Sequence, residues 1–175
     1  MSVQPENSGE AQCRDQRACD RVIDRGAYAR LTPIVAGYSG TVLPKKLGIT
    51  EGSRVALVGA PQGFEQELVP LPAGVRLLKQ PRSNLDVVVF FVTRRAELTR
   101  RFPRLASVLC CDGGLWIAWP KRTAGVATDL CERDVREVGL AGGLVDNKVC
   151  AVDDVWSSLR FVYRLSDRPQ NGRKR

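Results

Sequence analysis

The stretch VALVGAPQGFEQ, Val55 to Gln66, runs from a short apolar segment through a glycine, a tight turn and a second glycine into a polar segment able to start a helix. Four consecutive apolar residues ended by glycine read as a strand, Val55–Val58, buried on both faces. A strand that turns directly into a helix is the first half of a parallel βαβ unit, so this stretch decides the fold class. Many nucleotide- and cofactor-binding domains open in the same way. Gly59 and Gln62 are therefore candidate ligand contacts, although a plain structural turn is the leading reading of the loop.

The rhythm continues toward the C-terminus. A short helix around Gly63–Val69 is stopped by Pro70, and Val75–Leu78 reads as the next strand. Asp86–Val92 holds the longest purely apolar run, Val87 to Val92, and suits a central parallel strand. Arg94–Leu109 reads as a helix restarted at Pro103, and Leu115–Trp119 as another strand. Leu130–Gly142 reads as a helix with Asp129 and Glu132 as its cap pair and Gly142 and Gly143 at its end. Val145–Val152 and Trp156–Leu165 read as a closing antiparallel pair. On the other side, Ser39 and Gly48 bracket a short helix. The predicted fold is α/β and Rossmann-like: a mostly parallel sheet with helices on both faces and a C-terminal antiparallel strand pair, over residues 35–165.

Residues 1–34 show neither helical nor strand periodicity and carry five arginines against five acidic residues. They are expected to be a flexible, dispensable extension, with Val35 as an alternative start of synthesis. Residues 166–175 read as a disordered basic tail. The chain as a whole has a net charge of +8. No apolar run approaches the roughly 20 residues of a membrane helix, and the first 34 residues lack a signal-peptide core. A cytoplasmic location and no membrane partner are the expectations.

There is no histidine. This excludes Ser-His-Asp and Cys-His nucleophile systems, histidine metal sites and the usual general base at neutral pH. The six cysteines, Cys13, Cys19, Cys110, Cys111, Cys131 and Cys150, form no C-x-x-C and read as reduced thiols rather than a metal site or disulfide framework. No metal is expected, and no catalytic residue is assigned.

The glycine loop departs from two cofactor fingerprints. A G-x-G-x-x-G from Gly59 fails at Pro61 and Phe64, and a G-x-G-x-G fails at Pro61, where a ring replaces the bare backbone and removes an N–H. After the second strand, where an acid would meet ribose hydroxyls, stand Lys79, Gln80, Pro81 and Arg82. Both departures argue against S-adenosylmethionine as the cofactor and leave its identity unknown. In an open α/β sheet, ligands sit beyond the carboxyl ends of the strands. The candidate ligand-binding set at that rim is Gly59, Gln62, Arg94, Trp119, Lys121, Arg122, Asp153, Asp154 and Trp156, in which cations and indoles suit an anionic small molecule. The alternative is surface ion pairs around core tryptophans. Arg94, Arg95, Arg100, Arg101 and Arg104 invite a nucleic-acid reading, but Glu97 within the stripe points to a solvated face.

The order of strands and helices, with CDGGLWIAWPK at residues 111–121, resembles a shortened S-adenosylmethionine-dependent methyltransferase fold. More specifically, AGYSGTVLPKKLGI, ALVGAP, CDGGLWIAWPK and GLVDNKVCAVDDVWSSLRF are similar to the bacterial domain-of-unknown-function family 3052. That resemblance runs from Val35 to Leu165 and implies a compact bacterial cytoplasmic protein, with no activity to carry over. Three functions remain open. The leading one is a non-enzymatic binding or regulatory protein with a degenerate cofactor crevice and an unidentified protein partner. The others are a methyltransferase-like transferase acting on an anionic substrate, and nucleic-acid association through the arginine helix and tail.

Overall fold

The computed structural model describes residues Gly40–Arg168. The expected N-terminal extension at 1–34 and the end of the basic tail lie outside the described residues, as does Ser39. In chain order the elements are α1 (Leu43–Leu47), β1 (Arg54–Val58), α2 (Phe64–Glu67), β2 (Arg76–Leu78), β3 (Leu85–Phe91), α3 (Arg95–Ser107), β4 (Leu109–Pro120), α4 (Glu132–Ala141), β5 (Val145–Ala151) and β6 (Trp156–Val162). Single 3-10 turns cover Arg122–Ala124 and Leu165–Asp167.

Six strands form one sheet in the order β2-β1-β3-β4-β6-β5. β1 to β4 run parallel, and β6 lies antiparallel between β4 and β5. The Rossmann-like expectation and its closing antiparallel pair are met. Strand order reverses at β1, whose successor β2 lies on one side and β3 on the other. A crevice forms at such a reversal because the two connections leave in opposite directions.

Side-chain alternation along the strands feeds two cores. On one face Ala56, Val88, Phe90, Leu115, Ile117 and Phe161 pack under α3 and α4. On the other, Val55, Val87, Val89, Phe91 and Trp116 pack under α1 and α2 through Leu47, Phe64 and Leu68. The buried Trp116 indole donates to the Leu47 carbonyl at 2.9 Å, which ties α1 to the sheet. Pro44 falls in the first turn of α1, where its missing N–H costs nothing, and Gly48 closes the helix at φ 78°. Among the described residues no helix is long and apolar enough to cross a membrane.

Three local readings are corrected. β4 starts at Leu109 rather than Leu115, because Leu109 pairs with Leu85 before an irregularity that brings Gly114 opposite Val87. A Cβ on Gly113 would lie 2.7 Å from the Leu85 carbonyl oxygen, so the strands approach too closely there for any other residue. α3 runs through Pro103 without a restart. Finally, α4 is capped two residues later than expected: the Asp134 carboxylate accepts the Cys131 amide at 2.9 Å, and Glu132 pairs with Arg136 at 2.8 Å. The Cys131 thiol, which donates to Asp134 at 2.8 Å, is the main cause holding that carboxyl below its usual range.

Asp129 instead serves the other helix. Its Oδ1 accepts the Arg95 amide, in the open first turn of α3, at 2.7 Å. Asp129→Ala should cost about 1 kcal/mol, as for loss of an ordinary helix cap. Denaturant unfolding checks this, and a change below about 0.3 kcal/mol would show that solvent satisfies that amide equally well.

Candidate strand-end site

Gly59 leaves β1 with φ 65°, and a Cβ there would sit 2.8 Å from the carbonyl oxygen of Phe91, the last residue of β3. The turn after β1 is thus pressed against the end of its neighbour, and the chain must leave toward β2. Gly63, at φ 87°, is the N-cap of α2. Between this loop and the end of β2 lies a cleft of about 460 Å³. Leu57, Leu77 and Leu78 form its apolar wall, while Gln62, Glu65, Gln66 and Lys79 supply polar side chains. Glu65 is the one carboxylate among the lining residues, and sequence reasoning missed it. Its signal was faint: an exposed acid in a four-residue helix looks like ordinary surface.

The remaining candidates leave the ends of β3, β4 and β5. Arg94 follows β3 and Arg122 follows β4; both are exposed and make no ion pair among the described residues. Lys121 is drawn into the turn that joins β5 to β6. Its Nζ donates to the Asp153 carbonyl and its amide to the Val155 carbonyl, each at 2.7 Å. Asp153 Oδ1 accepts the amides of Val155 and Trp156, again at 2.7 Å, so this carboxylate fixes the turn. Asp154 beside it is exposed.

The two indoles of the candidate set are not brought together. Trp119 is 6% exposed in the core under α3 and α4, whereas Trp156 is 7% exposed in the opposite core. Trp156 stands edge-on to Phe91 at 5.1 Å, and Phe91 edge-on to Phe64 at 4.7 Å, forming an aromatic row on the α1–α2 face of the sheet. Both tryptophans thus present mainly packing surface. What the strand ends do bring together is a cleft at β1 and β2, containing Gly59 and Gln62, and exposed cations after β3 and β4.

Two arginines of α3 are neutralised. Arg95 pairs with Asp134 at 2.7 Å and Glu137 at 3.0 Å, and Arg101 pairs with Glu97 at 2.9 Å while lying over the Phe90 ring. Arg100 and Arg104 remain exposed. Burial, with hydrogen bonding to Asp112 as the next cause, pushes the Cys110 thiol up to about 12, the opposite of an activated nucleophile. Among the described residues no group of three potential ligands could hold a metal.

No protein-family model matches the chain, and no curated protein matches it. Solved structures do. A SAM dependent methyltransferase from Aquifex aeolicus aligns over 67% of this chain and 85% of its own, with 16% identity and a TM-score of 0.50. The pyocyanin biosynthetic protein PhzM aligns over 70% of this chain, which spans about half (53%) of that protein, with 11% identity and a TM-score of 0.53. A possible exported protein from Bordetella parapertussis aligns over 69% of this chain and 64% of its own, with 13% identity and a TM-score of 0.51. At these identities the likeness establishes the fold: a Rossmann-like α/β sheet of the kind found in methyltransferases.

These neighbours correct the expectation against S-adenosylmethionine. A chain of the same fold in Aquifex aeolicus is SAM-dependent. The two residues that motivated the expectation, Pro61 and Lys79, line the strand-end cleft and do not close it.

Proposed function

We propose that this chain is a methyltransferase-like transferase that holds S-adenosylmethionine in the cleft between Gly59 and Lys79 and acts on an anionic substrate. The observation that carries the reading is the position of the cleft, at the carboxyl ends of β1 and β2 where strand order reverses, in a fold shared with a SAM-dependent methyltransferase. It replaces the non-enzymatic reading taken from the sequence.

The residues present fit such a cofactor. The volume is that of an ordinary small-molecule site, with an apolar wall for a base and a few polar groups for orientation. When bound, the sulfonium would supply a methyl group to an electron-rich acceptor, whose lone pair forms the new bond to carbon as the carbon–sulfur bond breaks and a neutral thioether leaves. The chain's own task is then to position and to exclude, which in well-oriented reactions reaches effective molarities of about 10⁵–10⁸ M without any proton transfer. An acceptor that is already anionic needs no general base, which agrees with the absence of histidine. Arg94 and Arg122, exposed after adjacent parallel strands, are placed to attract it. A cytoplasmic setting is part of this proposal, as the family resemblance implies.

Titration calorimetry with S-adenosylmethionine and S-adenosylhomocysteine tests the first half. A Kd of micromolar order, about −8 kcal/mol, is expected, and no heat up to 1 mM ligand would reject the reading. For the second half, release of S-adenosylhomocysteine is followed with carboxylate, phenolate and phosphate-bearing acceptors. Arg94→Ala with Arg122→Ala should raise KM at least about tenfold while leaving S-adenosylhomocysteine affinity unchanged. Turnover indifferent to the pair would remove the anionic-substrate assignment.

A further inference from the structure

We infer that Glu65 takes the place of the missing acid after β2 and binds the ribose hydroxyls of the adenosyl ligand. The inference rests on the reading of the cleft as an adenosyl site and adds a specificity-determining residue to it.

Folds of this kind usually read a ribose diol with a carboxylate about 20 residues beyond the first glycine. Here that distance from Gly59 falls on Lys79, a donor that cannot accept a hydroxyl proton. Lys79 lines the cleft, and no acid occurs between it and Arg82. From the other side of the loop, α2 contributes Glu65 to the lining of the same cleft. Because Gly63 turns the chain in the left-handed conformation, the helix starts immediately beyond the loop, and its second residue reaches the cleft.

Glu65 also has its full bonding capacity in hand. It is exposed, and its carboxylate makes no ion pair or hydrogen bond among the described residues. An ionised carboxylate has two oxygens and can accept both hydroxyls of a vicinal diol at once. The other polar side chains of the cleft, Gln62, Gln66 and Lys79, carry no negative charge. A hydroxyl bonded to a charged acceptor is worth about ten- to a hundredfold in affinity, so loss of one hydroxyl is measurable.

The test is calorimetry on the full chain with S-adenosylhomocysteine and its 2′-deoxy analogue. Wild type is expected to prefer the diol by about ten- to a hundredfold. Glu65→Gln, at an exposed position that should not disturb folding, should bring the two ligands within about threefold, whereas Lys79→Ala should preserve the preference. Equal binding of both ligands by wild type, or a preference that survives in Glu65→Gln, overturns the assignment while leaving the cleft an adenosyl site. If wild type binds neither ligand, the adenosyl reading itself fails and the assignment goes with it.

Discussion

Replacing Gly139 by alanine is expected to lower the unfolding free energy by about 2 kcal/mol, although alanine is the better helix former. In an exposed helix the change would gain about 1 kcal/mol. Gly139, however, is buried in α4 against the sheet, and a Cβ there would fall among the ring atoms Cε1, Cζ and Cδ1 of Phe161. The ring has no room to retreat, because Phe161 is fully buried and edge-on to Phe102 at 5.5 Å. Gly142, one turn further, meets the Phe102 ring in the same way. The two glycines thus let α4 lie directly on this aromatic pair, and the cost is that of overpacking, about 1–3 kcal/mol or more, exceeding the helix gain. The thermal midpoint should fall by about 4–8 °C at this chain length. Phe161→Leu in the alanine background should recover more than about 1 kcal/mol relative to the sum of the single changes. Strict additivity would show that the ring is not what the methyl group meets.

How much of this was legible in the sequence depended on whether the interaction leaves a local pattern. Val55–Val58 and Val87–Val92 were read as strands because burial on both faces makes continuous apolar runs. The first residues of β4 escaped, since Cys110–Gly113 join the sheet across an irregular register, through close backbone approach to Leu85 and Asp86. Asp129 looked like a cap for the helix that follows it, but its partner is Arg95, 34 residues earlier, and no local rule reaches that far. Gly59 and Gln62 were read as candidates from the turn that they form, and both line the cleft. Trp119 and Trp156 were read as one rim because both stand at strand ends. Their faces are set by register: Trp156 lies opposite Pro120 and so shares the face of Trp116 and Ala118, while Trp119 points the other way with Ile117. Glu65 was missed because an acid was sought after β2, while the carboxylate that lines the cleft comes from the helix before that strand.

Gly59→Ala is expected to cost about 3 kcal/mol of stability and to weaken S-adenosylhomocysteine binding at least tenfold. Two independent terms add. An L-residue at φ 65° is disfavoured by about 1–2 kcal/mol, and the new methyl would stand 2.8 Å from the Phe91 carbonyl oxygen. That oxygen belongs to backbone held in the parallel ladder, where Phe90 lies opposite Val58 and Phe91 opposite Ala118. Relief must therefore come from the loop, which would shift away from β3 and into the cleft that it borders. Gly63→Ala separates the two terms. Its φ of 87° carries the same strain, but its nearest neighbour is the Gln66 side-chain oxygen at 3.2 Å, which can rotate aside. The Gly63 variant should lose only about 1–2 kcal/mol, the strain alone. Denaturant unfolding of both, with calorimetry on whatever remains folded, measures the difference. Equal losses at the two positions would mean that the loop does not press on the end of β3, and the close approach that aims the chain past the cleft would no longer explain why glycine stands at the end of β1.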